Sequence, residues 1–245
     1  AQLSIVNLTG ALQALVAGRS LSFLLFDPMT VALWSFVLVS LLLWGRGTFC
    51  GWLCPFGALQ ELVGKLARLC RVPQLKWRGA TDMRFKRVKY LALALVVSVA
   101  WLDGAGGKTD ALVEIEPFKT AITLNFVRAW PYVAYALALL AAGAFMHKFF
   151  CRYLCPLGAS LALLGRFRLL DWIPRRAECG TPCQTCRHRC DYQAIEPDGA
   201  VVYAECFQCM DCVVIHESEQ KCAPRLLERK RARTITIHRD QGALS

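Results

Sequence analysis

Phe49-Cys50-Gly51-Trp52-Leu53-Cys54-Pro55-Phe56-Gly57-Ala58 is the stretch on which the reading of this chain turns, because the chain writes it twice. The second copy is Phe150-Cys151-Arg152-Tyr153-Leu154-Cys155-Pro156-Leu157-Gly158-Ala159, so Cys50 and Cys151 stand 101 residues apart (151 − 50). The likeness runs on past the motif: Leu59, Leu62, Gly64, Lys65 and Leu66 align with Ser160, Leu163, Gly165, Arg166 and Phe167. Each copy follows an apolar segment, which is the signature of an internal repeat of one helical unit. Proline disfavours helical backbone at the cysteine before it and suits the first turn of a new helix. Each motif is therefore expected to end one helix, within the membrane, and start another at its surface.

Composition points the same way. The 245 residues are 56% hydrophobic, with a mean hydropathy of +0.37, high for a soluble domain. Met29 to Trp44, Tyr90 to Leu102 and Trp130 to Met146 run without a charge. A full span needs ~20 apolar residues, with ~17 the usual lower limit. The middle run needs Val88 and a snorkelling Lys89 to reach that length. Residues 45–89 hold ten Lys/Arg against two acids, 103–129 three against four, and 147–245 fifteen against eleven. This alternation puts 45–89 and the C-terminus on the cytoplasmic side and loop 103–129, with Gly104, Gly106, Gly107, Glu114, Glu116 and Pro117, on the far side. The net charge of +11 is thus read as topology and lipid contact, with no nucleic acid. The basic tail from Arg225 to Arg233 fits anionic lipid. The chain starts at Ala1-Gln2-Leu3 with no signal peptide and reads as a piece of a longer polypeptide.

Thirteen cysteines exclude an ordinary cytosolic enzyme. The densest signal is Cys179-x3-Cys183-x2-Cys186-x3-Cys190 followed by Cys206-x2-Cys209-x2-Cys212-x9-Cys222, close to the bacterial pattern for two [4Fe–4S] clusters. A loop with two-residue gaps wraps three irons of a cubane, and the fourth thiolate comes from the other run. The expected sets are Cys179, Cys183, Cys186 and Cys222 for one cluster, and Cys206, Cys209, Cys212 and Cys190 for the other. The x3 gap after Cys179 and the x9 gap before Cys222 depart from the usual spacing. Structural zinc and disulfides are the competing uses of these thiols. The turn at Ala194 to Val202 reads as flanked by short strands. Cys50, Cys54, Cys151 and Cys155 form a candidate third site for a further Fe–S or other metal centre. The alternatives there are reduced thiols packing a helix bend, or redox-active thiols. Cys70 has no partner pattern, and neither a nucleophile–base pair nor a phosphate loop is present.

The expected architecture is a mainly α membrane bundle with about three transmembrane helices and repeated CxxxCP motifs, plus a small α+β two-cluster ferredoxin-like domain. Residues 1–28 form a periplasmic-side or interfacial segment. Residues 29–170 form the transmembrane domain, with half-repeats at 29–70 and 129–170. Residues 171–224 form the ferredoxin-like domain and 225–245 the basic tail.

The two CxxxCP motifs, Glu116-Pro117-Phe118-Lys119-Thr120-Ala121-Ile122 and the x9 gap resemble the C-terminal half of NosR-type proteins, within the wider polyferredoxin membrane family that includes NapH-type subunits. The resemblance implies a multi-pass protein of the bacterial inner membrane, with its ferredoxin domain and C-terminus cytoplasmic. It implies an electron-transfer component that supports maturation and activity of nitrous oxide reductase rather than a stand-alone enzyme. Implied cofactors are two [4Fe–4S] clusters, with FMN only in an N-terminal flavin-binding half that these residues do not include. Implied partners are membrane lipid, quinone or quinol, that flavin domain, and the nitrous oxide reductase system. Rival functions are a NapH-like quinol dehydrogenase subunit, a copper-reducing maturation protein, and an Fe–S sensor of gene expression.

Overall fold

A computed structural model describes residues 5–16, 18, 28–77, 79–103 and 116–231. They divide into two compact units, 1–170 and 171–245. Half of the segment expected at 1–28, residues 104–115 of the loop expected at 103–129 and residues 232–245 of the basic tail lie outside the described residues.

In the first unit the helices are α1 (Ile5–Val16), α2 (Pro28–Trp44), α3 (Pro55–Leu69), α4 (Ala80–Asp103), α5 (Trp130–Phe145), α6 (Phe149–Tyr153) and α7 (Pro156–Leu164). Short π-helices cover Phe49–Leu53 and Lys119–Thr123. Pro55 and Pro156 open α3 and α7, where the missing proline N–H is one a helix start leaves unused. Cys54 and Cys155 before them are extended, with ψ of 111° and 112°. In both copies the amide of the second cysteine reaches back five residues, Cys54 to the Phe49 carbonyl and Cys155 to the Phe150 carbonyl, each at 2.9 Å.

The repeat folds as a reciprocal pair. A methyl group on Gly57 would lie 2.9 Å from the Cys50 carbonyl oxygen, and one on Gly158 3.4 Å from that of Cys151. Gly64 of the first copy packs on the His147 ring of the second, and Gly165 of the second on the Arg46 backbone of the first. Residues 46 and 147, like 64 and 165, are one repeat apart. The segment after each second helix also bonds to the end of the other copy's first helix. The Leu75 amide donates to the Phe145 carbonyl at 2.8 Å, and the Leu169 amide to the Leu42 carbonyl at 2.7 Å. Accordingly α3 packs on α5. A small apolar cluster of Ile5, Leu93, Val96 and Ala159 joins α1, α4 and α7.

The membrane bundle and the α+β domain are both corrected. Among the described residues no helix is long and apolar enough to cross a membrane. The 17-residue α2 and 16-residue α5 extend only about 25 Å at 1.5 Å per residue, short of a ~30 Å hydrocarbon core. The 24-residue α4 carries Asp82, Arg84, Lys86, Arg87 and Lys89 in its first half, leaving too short an apolar remainder. Multi-pass topology therefore has no spanning helix among the described residues to rest on. In the second unit no strand forms among the described residues, where helices α8 (Thr185–Arg189) and α9 (Asp211–Glu217) stand. The pairing expected around Pro197 is a single bridge between Ile195 and Val201, beside another between Cys179 and Cys183. The cysteine loops on either side end the pairing before it propagates.

The start of α4 is fixed by a buried ionic knot. Asp82 accepts from Arg152 Nη2 at 2.7 Å and from Tyr153 Oη at 2.6 Å, and pairs with Lys86 Nζ at 2.8 Å. Burial alone would raise the Asp82 carboxyl, but the bonds from Lys86 and Tyr153 and the charge of Arg152 hold it below its ordinary value. A depressed carboxylate stabilises the fold above its unfolded pKa, and that stabilisation is lost as pH falls through the folded value. Asp82→Ala leaves the Arg152 charge buried without this carboxylate, a change that costs about 3–5 kcal/mol. Denaturant unfolding is expected to show a midpoint lowered accordingly, and a midpoint equal to that of the parent chain would refute the knot's role.

Candidate iron–sulfur centres

The second unit draws its cysteines around two cavities. The larger is lined by Cys186, Cys190, Cys206, Cys209 and Cys212, together with Trp172, Tyr192 and Ile215. All four residues expected for the second cluster are therefore on one cavity wall, joined by Cys186. The smaller is lined by Cys179, Cys183 and Cys186. Cys222, expected as the fourth ligand there, is 6% exposed and lines neither cavity. The extra residues of the x9 gap form most of α9 and the turn after it, which places Cys222 beyond that helix.

Local backbone explains the placement. Short α8 carries Cys186 and ends at Cys190, which turns extended with ψ 111°. Cys190 Sγ accepts the Ala194 amide at 3.5 Å, Cys179 Sγ the Arg176 amide at 3.4 Å and Cys206 Sγ the Gln208 amide at 3.4 Å. Amides aimed at sulfur favour the thiolate that iron requires. Burial, opposed by the Asp211 amide, pushes the Cys209 thiol up to about 12. A metal bound to that sulfur would displace its proton, coupling loading to proton release.

In the first unit the repeated motifs bring four thiols into one neighbourhood. Cys151 lies within electrostatic reach of Cys50 and Cys54, and Cys155 within reach of Cys50. Cys50 and Cys151 are buried and Cys54 and Cys155 half-buried. Burial raises all four thiols, Cys54 to about 11. Arg46, Lys89 and Lys148 are also buried and their charges act on Cys50 in the opposite sense. Arg46 Nη1 donates to the Gly158 carbonyl of the other copy at 3.2 Å, and Lys148 pairs with Glu61 at 3.0 Å.

Glu116 changes the expected layout. The charge pattern put it on the far side from both motifs. Instead it lies within electrostatic reach of Cys54 and Cys155. It is buried, raised to about 7 by that burial, and accepts the Ile5 amide at 3.2 Å. No periodicity marks such a residue in the sequence, where it stands directly before Pro117.

Among the described residues no three His, Cys, Asp or Glu side chains converge on a point that would hold a single metal ion. A mononuclear zinc site needs donors within about 2.0–2.3 Å of one centre, whereas a cubane spreads its four thiolates over the corners of a larger body. Cysteines distributed around cavity walls fit the second kind of group by donor chemistry. Cys70 is exposed and belongs to neither set.

Comparison with known proteins agrees with this chemistry. A family described as 4Fe-4S binding domain matches residues 26–73 and 129–176, each stretch holding one CxxxCP motif. The family described as NosR matches residues 177–233, which hold both long cysteine runs. With two such stretches and these cysteines, the chain fits two [4Fe–4S] clusters. It is 48% identical over 232 residues to the regulatory protein NosR of Stutzerimonas stutzeri, covering 95% of this chain and 32% of that protein. It is 50% identical over 230 residues to the regulatory protein NosR of Pseudomonas aeruginosa, covering 94% of this chain and 32% of that protein. A shorter NosR sequence of Pseudomonas aeruginosa is 51% identical over 81 residues, 33% of this chain and 81% of that sequence. The chain spans about a third of the length of the first two relatives. No solved structure matches it. By sequence along nearly its whole length, and by the match over its cysteine runs, the chain belongs to the NosR family.

Proposed function

We propose that this chain is an iron–sulfur electron-transfer protein serving the nitrous oxide reductase system. The observation that carries the reading is the gathering of Cys190, Cys206, Cys209 and Cys212 on one cavity wall, from two runs well separated in sequence. These four would hold one [4Fe–4S] cluster, and Cys179, Cys183 and Cys186 the other, with Cys222 as its fourth ligand. Each such group, when bound, takes up and returns one electron at a time. The chain's own residues supply the thiolates, the amides aimed at Cys179, Cys190 and Cys206, and apolar walls that limit water. The link to nitrous oxide reductase rests on the family.

The same reading assigns Cys50, Cys54, Cys151 and Cys155 to a third centre. It is supported by the reciprocal packing of the two copies, by the buried cations around Cys50, and by the 4Fe-4S family matches falling on these motifs. Cys50→Ala together with Cys151→Ala is expected to lower iron per chain below the parent value while the ferredoxin-type signals persist. Iron analysis and low-temperature EPR on anaerobically purified protein check this, and unchanged iron refutes the third centre.

The location proposed is the bacterial inner membrane, with the second unit and C-terminus cytoplasmic. Its support is the exposed apolar surface of the first unit, including Phe36, Leu38, Val39, Leu91 and Leu95, and the basic excess in 45–89. Lipid, quinone or quinol, an N-terminal flavin domain of the same polypeptide and the nitrous oxide reductase system are the proposed partners. Purified protein that loads two clusters and reduces an acceptor dye from a quinol analogue would support this reading. Protein that binds no iron on reconstitution would end it.

A further inference from the structure

Three residues line both cysteine cavities of the second unit: Arg175, Cys186 and Ile195. Of these only Arg175 carries charge. Its Nε and Nη2 are shielded from solvent and meet no hydrogen-bond acceptor in the protein. Buried donors without acceptors are rare and costly, at about 1–3 kcal/mol for each group left unpaired. The guanidinium charge lies within electrostatic reach of both Cys186 and Cys212. Those two thiols belong to different ligand sets in the proposed function, Cys186 to one cluster and Cys212 to the other.

We propose that Arg175 is a positioning residue shared by both ferredoxin-type clusters, which sets their two reduction potentials together by donating to cluster-bound sulfur from a place common to both cavities. The inference rests on the reading that these cavities hold [4Fe–4S] clusters. Thiolate and sulfide are the acceptors such clusters bring, so loading supplies partners for the orphaned donors. Hydrogen bonds to sulfur and local charge are among the main determinants of cluster potential. A positive, hydrogen-bonding group stabilises the reduced, more negative state and raises the potential. One guanidinium acting on both clusters moves their potentials in the same direction. Other cations differ in kind: Arg187 lines only the smaller cavity and Arg189 only the larger.

The test is an EPR-monitored redox titration of the iron-loaded full chain, with iron analysis on each sample. Arg175→Met is expected to retain iron and both cluster signals while both midpoint potentials move to more negative values. Arg175→Lys, which restores charge without the planar donor fork, is expected to recover part of the shift. Arg229→Met, at an exposed position that lines neither cavity, removes a charge there and is expected to leave both potentials in place. Loaded Arg175→Met with unmoved potentials overturns the proposal, and movement of one cluster alone overturns the shared role. A parent chain that loads no cluster defeats the cluster reading instead, and iron analysis separates the two failures. Should Arg175→Met lose iron, Arg175→Lys carries the test, because it keeps the charge and most of the volume.

Discussion

Cys209→Ser is expected to strip about four irons from the chain, the complement of one cubane, and to leave the other ferredoxin-type cluster in place. Cys209 lines the larger cavity with Cys190, Cys206 and Cys212, and serine offers iron a hard, weakly acidic hydroxyl where a thiolate is required. Burial that holds the Cys209 thiol near 12 disfavours an ionised hydroxyl there still more. Transfer through the pair needs both clusters, so dye reduction is expected to fall by more than tenfold, or about 1.4 kcal/mol in the barrier at the least. Iron analysis and EPR of the anaerobic protein check the loss, and an unchanged iron content would refute the assignment of Cys209. Cys222→Ser is the sharper companion. Cys222 is buried but lines neither cavity, so its assignment rests on spacing. A loss matching that of Cys209→Ser supports Cys222 as a ligand, and retention of iron removes Cys222 from the ligand set.

The cysteine runs stand out in the sequence because metal ligation, where it occurs, fixes spacing tightly, and spacing survives in one dimension. The repeat was legible for a related reason: a constant offset of 101 residues predicts that the two copies meet alike, and Gly64 on His147 answers Gly165 on Arg46. The membrane spans were misread because an uncharged run does not fix helix length. The run from Tyr90 to Leu102 belongs to a helix whose first half is charged and tied down through Asp82. The basic excess of 45–89 was read wholly as topology, yet Arg46 and Lys89 are buried near Cys50. Net charge by segment cannot distinguish a cation facing lipid from one turned toward a thiol. Arg175 escaped for the same reason. In sequence it is one of two arginines ahead of Cys179, and only the closing of two cavities upon it gives it a role.

Gly180→Ala is expected to be the most damaging single substitution in the second unit. Gly180 and Gly199 have φ of +106° and +90°, where an L side chain is strained. They also pack backbone against backbone. A methyl group on Gly180 would collide with the Asp198 carbonyl, and one on Gly199 with the Cys179 carbonyl. The two glycines thereby seat the Cys179–Cys183 loop on the 196–200 turn. That seat is fastened by the Gly180 amide on the Cys183 carbonyl at 2.9 Å, and by Gln184 Nε2 donating to the Gly180 and Pro197 carbonyls. Backbone strain of about 1–3 kcal/mol adds to overpacking of about 1–3 kcal/mol, and neither neighbour can rotate away because both are main chain. The sum is a large part of the ~5–15 kcal/mol that holds a typical domain. Gly79→Ala separates the two contributions: its φ is +75° but among the described residues nothing lies within 4 Å of the added methyl, so strain alone acts, at about 1–3 kcal/mol. Denaturant unfolding, followed with iron retention, is expected to rank Gly180→Ala well below Gly79→Ala, and with the Cys179 loop unseated the smaller cavity loses its iron first. Equal midpoints for the two variants would mean that the close approach of the Cys179 loop to the Asp198 turn contributes nothing to holding the cluster ligands in place.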